Sequence, residues 1–167
     1  RFDPSAVGIR EATLSIDTND SDEHPFNFAI QGTGRTPAPE ITVLGNGQEI
    51  ATGDTSPTTS DHTGFGGTDV NTGSVTRTYT IENDGDADLT LGADAVTLSG
   101  ANAGDFTVAD QPDETVAVGS SATFQITFNP NNTGARTATV NIANNDADEA
   151  PYTFSITGDG TGELATP

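Results

Sequence analysis

Alternation of apolar and polar residues is the feature that most constrains how this 167-residue chain folds. The stretch TFQITF at 123–128 places every second side chain, an aromatic or an isoleucine, on one face, and ARTATVNI at 135–142 and YTFSI at 152–156 repeat the pattern. A period of two is typical of a half-buried β-strand, because successive residues of a strand point to opposite faces of the sheet. No segment carries a sustained period of 3.6, so no helix is expected.

Clusters of turn-forming residues separate the alternating stretches, among them NDGD, SGANAGD, VGSS, NPNNTG and NNDADEAP. Gly, Asn, Asp and Pro favour turns for separate steric and hydrogen-bonding reasons. Short strands divided by turns at this spacing predict an all-β chain folded as an antiparallel β-sandwich. Within it, the segment Asn83–Gly85 is expected to be a tight hairpin joining a strand at Ile81 to one at Leu89.

The two ends of the chain carry the same sequence pattern. Phe2 corresponds to Phe128, an offset of 126 residues, and the match continues without a gap to Gly34 and Gly160. The duplication predicts a tandem repeat, in which 1–34 is the C-terminal part of a preceding repeat, 35–39 is a linker, 40–160 is one complete repeat and 161–167 is a tail. Identical pairs include Pro4/Pro130, Gly8/Gly134, Arg10/Arg136, Ile16/Ile142, Asp20/Asp146, Glu23/Glu149, Pro25/Pro151, Phe28/Phe154 and Ile30/Ile156.

Residues 1–34 are expected to form an extra N-terminal β-hairpin, with strands at about 9–16 and 26–31. A lone hairpin is marginal in water, and burial contributes about 1.5–3 kcal/mol for each large apolar side chain. We therefore expect Ile16, Phe26, Phe28 and Ile30 to find cover, either on the rest of this chain or on strands of a neighbouring copy or repeat. A head-to-tail contact of the second kind would build a fibre; a segment of a longer array is the third alternative.

Charge narrows the range of partners. The chain has 25 acidic residues against 5 arginines and a net charge of −20. Such a surface repels nucleic acid phosphate and anionic lipid, so no nucleic acid partner is expected. No membrane insertion is expected either, because no apolar run approaches about 20 residues. Without cysteine the chain can form neither disulfides nor a thiolate metal site.

Two stretches carry a family resemblance, FNPNNTGARTATVNIANNDADEAPYTFSITGDG at 128–160 and IENDGDADLTL at 81–91. They resemble the choice-of-anchor D repeat of bacterial surface proteins, which looks like a relative of the abnormal-spindle/hydin group of immunoglobulin-like domains. The resemblance extends over 39–160, and over 2–34 as the final third of a repeat. It implies an immunoglobulin-like β-sandwich on extracellular, cell-surface proteins and no catalytic residues. The final TGELATP departs from the pattern, because it does not restart the linker.

Closely spaced carboxylates in turns are candidate calcium ligands, since Ca²⁺ takes six to eight oxygen ligands. The alternative for each is a solvated turn in which Asp and Asn bond their own backbone. An EF-hand is excluded at 84–95, because its sixth position is Leu and its twelfth is Ala. The candidates are Asp20, Asp22 and Glu23; Asp146, Asp148 and Glu149; and Asp84, Asp86 and Asp88.

The segment 52–74 is a long stretch without strand pattern. Loops of this length are usually functional or disordered. Its candidate ligand-binding residues are Asp54, Asp61, His62, Phe65 and Asp69. The alternative is a compact loop that Phe65 anchors in the core.

Catalysis is not expected, because the chain has only two histidines and no nucleophile elbow, phosphate loop or zinc motif. The sequence therefore predicts a non-catalytic, extracellular structural repeat of a surface protein, adhesin stalk or filament, with neighbouring copies or repeats as partners. No cofactor is certain, and calcium is the candidate. The alternative function is a ligand-binding module that holds a carbohydrate or a protein with the 52–74 loop.

Overall fold

The computed structural model describes residues 1–162, so most of the predicted 161–167 tail lies outside the described residues. The chain divides into two compact units, Arg1–Pro37 and a second that begins at Ala38. No helix in the described range is long and apolar enough to cross a membrane. The strands are β1 Gly8–Ile16, β2 Phe26–Gly34, β3 Ile41–Gly45, β4 Gln48–Glu49, β5 Gly64–Asp69, β6 Val75–Asn83, β7 Leu89–Thr90, β8 Val96–Ser99, β9 Phe106–Asp110, β10 Thr115–Val116, β11 Ser121–Phe128, β12 Gly134–Ile142 and β13 Tyr152–Thr161.

The second unit is a two-sheet sandwich, which confirms the all-β prediction. One sheet has the strand order β4-β3-β6-β11-β9 and the other β5-β13-β12-β8, while β10 and β7 form a separate short pair. All neighbours within these sheets are antiparallel except β13 and β5, which pair in parallel. Within residues 1–162 the only helical segment is the 3₁₀ turn Ala103–Asp105.

The core lies between the two sheets and is built around aromatic rings. Tyr79 of β6 stacks on Phe124 of β11 with ring centroids 5.0 Å apart. Tyr79 also contacts Phe154 of β13 across the sandwich, at 5.7 Å. These inward positions are the ones that the period of two predicts, and every buried hydrophobic residue among those described lies between Ile41 and Ile156.

The predicted hairpin at Asn83–Gly85 is wrong. β6 pairs with β3 and β11, and β7 pairs with β10 instead of returning along β6. The cause is the buried Asn83 side chain, whose Nδ2 donates to the carbonyls of Ala87 at 2.8 Å and Val116 at 2.9 Å. It holds the following loop against the edge of the sandwich, where a Cβ at Gly85 would meet the Ala38 carbonyl oxygen.

The first unit is the predicted N-terminal hairpin of β1 and β2, and it reproduces the pairing of β12 and β13. Gly8 pairs with Gly34 as Gly134 pairs with Gly160, and every pair between them keeps the offset of 126 residues. The segment leading into each hairpin also repeats. The Phe2 ring lies against Gly32, and the Phe128 ring lies against Gly158. The same sequence pattern thus gives the same local structure twice.

The two hairpins differ in what covers them. Paired residues of an antiparallel ladder share a face, so β1–β2 has one apolar face, which we call the open face. Phe28 on it is 42% exposed, whereas its counterpart Phe154 is 1% exposed. The open face consists of Ala12, Leu14, Ile16, Phe26, Phe28 and Ile30, all exposed. The counterparts Ala138, Val140, Ile142, Tyr152, Phe154 and Ile156 are all buried.

Phe154 and Phe28 form a matched pair for a stability test. We expect Phe154→Ala to lower the free energy of unfolding by about 3–5 kcal/mol, because it opens a cavity in a packed core. Phe28→Ala should cost about 0.5 kcal/mol or less, because it removes an exposed ring. Denaturant unfolding followed by circular dichroism measures both. An equal loss in the two variants would mean that the open face is already covered in solution.

Candidate functional site

The one group of three metal-ligating side chains that residues 1–162 bring together consists of two acids of the turn between β12 and β13 and one acid from the segment before β3. Carboxylate oxygens of Glu40, Asp146 and Asp148 lie within 4.8 Å of one another. Sequence reasoning placed Asp146 and Asp148 here with Glu149 as the third member. It missed Glu40, which comes from the segment before β3 and is brought in only by the tertiary fold.

Asp146 is buried and serves as a structural link. Its Oδ2 accepts the backbone N–H of Ile41 at 3.0 Å, at the start of β3. Its Oδ1 accepts the N–H of Asp148 at 3.4 Å, and its own N–H donates to Oδ1 of Asn144 at 2.8 Å. The Asp146 carboxylate therefore links the first residue of β3 to the β12–β13 turn by hydrogen bonds that do not require a bound ion. Glu40 and Asp148 are exposed.

Glu149 lies next to this group, and the negative charges of the group act on its carboxyl. Partial burial raises the pKa of Glu149, and the negative charges of Asp146, Glu40 and Asp148 raise it further. The Glu149 carboxyl is therefore easier to protonate in the folded chain than in the unfolded chain. A divalent cation at the group would oppose that shift, because it offsets the like charges.

The other two candidate calcium groups do not converge. Among the described residues, Asp20, Asp22 and Glu23 do not bring three ligand atoms within 4.8 Å of one another, the distance found in the Glu40 group. Asp84, Asp86 and Asp88 do not do so either. Instead the N–H of Asp22 donates to Oδ1 of Asp20 at 3.3 Å, and this hydrogen bonding from Asp22 lowers the pKa of Asp20. The Asp84 and Asp86 N–H groups donate to carbonyls of the segment at 38–40, and the Asp88 carbonyl accepts from Asn145. Glu23 contributes its carbonyl to Thr18.

The 52–74 segment is ordered, and the expectation that it lacks a strand is wrong. It contains β5, which runs parallel to β13 and forms an edge of the four-stranded sheet. Phe65 in this strand is buried and makes an edge contact with Phe106 at 5.5 Å. A ligand at the surface therefore cannot contact the Phe65 ring, which serves as the anchor of a compact loop.

The three aspartates among the polar candidates accept hydrogen bonds from their own loop, whereas the buried Nδ1 of His62 has no hydrogen-bond partner in the described part of the chain. Oδ1 of Asp61 accepts the Thr63 hydroxyl at 2.6 Å; although partial burial opposes ionisation, the hydrogen bonds from Thr63 lower the pKa of Asp61. Oδ1 of Asp69 accepts the N–H of Asn71 at 2.8 Å, and Asp54 accepts the N–H of Ser56 at 2.9 Å. The carbonyl of His62 accepts the buried Tyr79 hydroxyl at 2.8 Å. These contacts fix the loop and do not converge on a common point.

The sandwich and its match to known sequences define an immunoglobulin-like domain. Residues 59–159, more than half of the chain, match the family described as HYDIN/CFA65/VesB-like, Ig-like domain. The chain belongs to this family. The hydin-related part of the family resemblance is thereby confirmed, and the choice-of-anchor D assignment stays a prediction. A search of curated proteins finds no match.

Solved structures similar to this chain include three from different organisms. A protein of unknown function from Porphyromonas gingivalis W83 is 14% identical over 93% of this chain and 67% of its own, with a TM-score of 0.48. The Vibrio cholerae VesB protease is 20% identical over 56% of this chain and 29% of its own, at 0.43. The PapD-like domain 7 of human CEP192 is 13% identical over 79% and 92%, at 0.44. At these scores the likenesses have no bearing on function.

Calcium binding at the Glu40 group would make the thermal stability of the chain sensitive to chelators. We expect EGTA to lower the Tm of the calcium-loaded chain by several degrees, because an ion that binds only the folded state stabilises it. Glu40→Gln and Asp148→Asn should each remove most of that response, whereas Asp113→Asn, outside the group, should keep it. Differential scanning calorimetry gives the answer, and a wild-type Tm that ignores EGTA removes the ion from this turn.

Glu149→Gln should stabilise the metal-free chain at neutral pH by about 0.5 kcal/mol, the size of a surface charge interaction. A carboxyl whose pKa is raised on folding contributes stability that is fully present below its unfolded pKa and is lost as pH rises through the folded one. The gain should therefore shrink as pH falls through the raised folded pKa towards the ordinary glutamate value of 4.5, and it should be nearly absent below that value. Urea unfolding at pH 7 and pH 4 measures it, and a gain that grows on acidification would contradict the assignment.

Proposed function

We propose that the chain is a non-catalytic structural repeat of an extracellular surface protein, adhesin stalk or filament. The observation that carries the proposal is the second copy of the β12–β13 hairpin, in the same register, ahead of a complete immunoglobulin-like unit. Structure duplicated along one chain is typical of proteins whose units are strung in series. The length of such a protein follows from the number of its repeats.

The amino-acid composition of the chain supports an extracellular location. The chain lacks cysteine and lysine and carries a net charge of −20, which suits a medium whose salt screens repulsion between acidic units. Calcium bound by Glu40, Asp146 and Asp148 is part of the proposal, supported by their proximity. In this role it would stiffen the end of the unit at which β3 begins.

A ligand-binding module for a carbohydrate or a protein remains the second candidate from the sequence. It has weaker support, because Asp54, Asp61 and Asp69 accept hydrogen bonds from within the loop and Phe65 is buried. Glycan-array binding that is lost on the exposed loop substitution Thr59→Ala would favour it over the structural role.

Surface location is directly testable. Antibodies against this chain should label intact cells of its source as strongly as permeabilised cells, and external protease should remove the label. An antibody to a cytoplasmic protein serves as the control for leakage, since it should label only permeabilised cells. Label confined to permeabilised cells would refute the extracellular role. Electron microscopy of the labelled protein should show elongated particles.

A further inference from the structure

The open face has a counterpart whose cover is known. The matching face of β12–β13 packs on the five-stranded sheet β4-β3-β6-β11-β9, which we call the receiving sheet. Tyr79 of this sheet contacts Phe154, and the carbonyl of Ile50, which follows β4, accepts the Tyr152 hydroxyl. Because β1–β2 has the same register and the same apolar positions, it fits the same kind of surface.

An ion pair adds charge to this match. Arg136 of β12 donates from Nε to Oδ2 of Asp105 at 2.7 Å, and Asp105 is 5% exposed. Although burial opposes ionisation, hydrogen bonds from Asn131 and Arg136 lower the pKa of Asp105, so the carboxylate is charged when it meets the arginine. Asp105 stands directly before β9, a strand of the receiving sheet.

Arg10 is the counterpart of Arg136 and has no such partner within residues 1–162. It is exposed at the edge of the open face, and the ion pairs formed by described residues do not include it. Beside it lies a groove of about 380 Å³ lined by Phe2, Ala12, Ile30 and Gly32, among others. Arg1, which also lines the groove, pairs with Asp3, so Arg10 is the arginine of this surface that has no carboxylate partner among the described residues.

The number of hairpins and receiving sheets limits what can cover the open face. The described residues contain two such hairpins and one receiving sheet, which β12–β13 already occupies. If two copies of the chain exchanged hairpins, each receiving sheet would still cover only one hairpin, and one hairpin per chain would remain uncovered. Two open faces packed together would bury Arg10 against apolar side chains without a carboxylate, which is costly. The remaining solution is a second receiving sheet.

We propose that the open face is the docking site for a second copy of the receiving sheet, carried in tandem on the same polypeptide. Its counterpart of Asp105 pairs with Arg10, and its inner face covers Phe28 as the present sheet covers Phe154. The proposal rests on the proposed repeat function and names the partner and its recognition. Apolar complementarity supplies the contact area, and the Arg–Asp pair fixes the register.

The test extends the chain with its own receiving sheet. A copy of residues 38–127 is joined to Phe2 in place of Arg1, so that the order of elements matches that of the complete repeat. Hydrogen exchange measured by mass spectrometry should slow by about tenfold or more in β1 and β2, relative to the unextended chain. Exchange in β12 and β13 should stay unchanged and serves as the internal control.

Charge reversal tests the recognition step in the extended chain. Arg10→Glu should restore fast exchange in β1 and β2, and Asp→Arg at the Asp105 counterpart of the added copy should slow it again. Thr13→Glu lies on the opposite face of β1 and is the matched control, expected to leave exchange unchanged. If Arg10→Glu has no more effect than Thr13→Glu, the assigned pairing is wrong.

Two outcomes overturn the docking proposal outright. One is a hairpin that exchanges as fast in the extended chain as in the unextended one. The other is an added copy of residues 38–127 that stays unfolded. The same sequence folds together with β12–β13 in the second unit, so this result would mean that β1–β2 cannot take the place of β12–β13. Either result leaves the surface labelling experiment untouched, so failure of the docking and failure of the extracellular role are distinguishable.

Discussion

The structure depends on covering one apolar sheet face. An antiparallel sheet has an apolar and a polar side, and the apolar side must pack on another layer. In this acidic chain the inner faces of two sheets concentrate the hydrophobic side chains around Tyr79, Phe124 and Phe154. The β1–β2 hairpin has the same apolar pattern without an opposing sheet among residues 1–162; it keeps the register and leaves its apolar face exposed. Backbone pairing is therefore local, whereas burial requires the rest of the domain.

The two buried carboxylates among residues 1–162, those of Asp105 and Asp146, both accept hydrogen bonds. Asp105 is held by Arg136 and Asn131, and Asp146 by the N–H groups of Ile41 and Asp148. Both buried acids sit where a turn meets a strand, so each links parts of the chain that are distant in sequence. Glu149 lacks donors of this kind and is destabilised by its acidic neighbours. A high negative charge is thus compatible with a compact unit.

The predictability of the fold followed the strength of the local pattern. β11, β12 and β13 alternate strictly, and the duplication carried the register of β12 and β13 to β1 and β2. β5 was missed because GFGGTD has no alternation, and its place depends on parallel pairing with a strand far along the chain. The loop after β6 was misassigned because the buried contacts of Asn83 with Val116 cannot be seen in a local hairpin signal.

The candidate site was predictable only within one segment. The turn acids Asp146 and Asp148 are close in sequence, and their proximity follows from the turn. Glu40 joins them through the pairing of β3 in the opposite sheet, a contact that no local spacing reveals. The repeat predicted the β1–β2 hairpin and its apolar face, and we expected that face to be covered, but among residues 1–162 it is exposed. The part played by Arg10 required the Asp105–Arg136 geometry.

The Asp146–Ile41 bond has a mechanical consequence. It holds the start of β3 at the end of the sandwich where β13 begins, while the chain leaves β13 at Thr161, at the opposite end. The ten residues of β13 span roughly 33 Å. Tension applied through both ends of this unit would act along β13, whose bonds to β12 and β5 would share the force in shear and break together instead of unzipping one at a time.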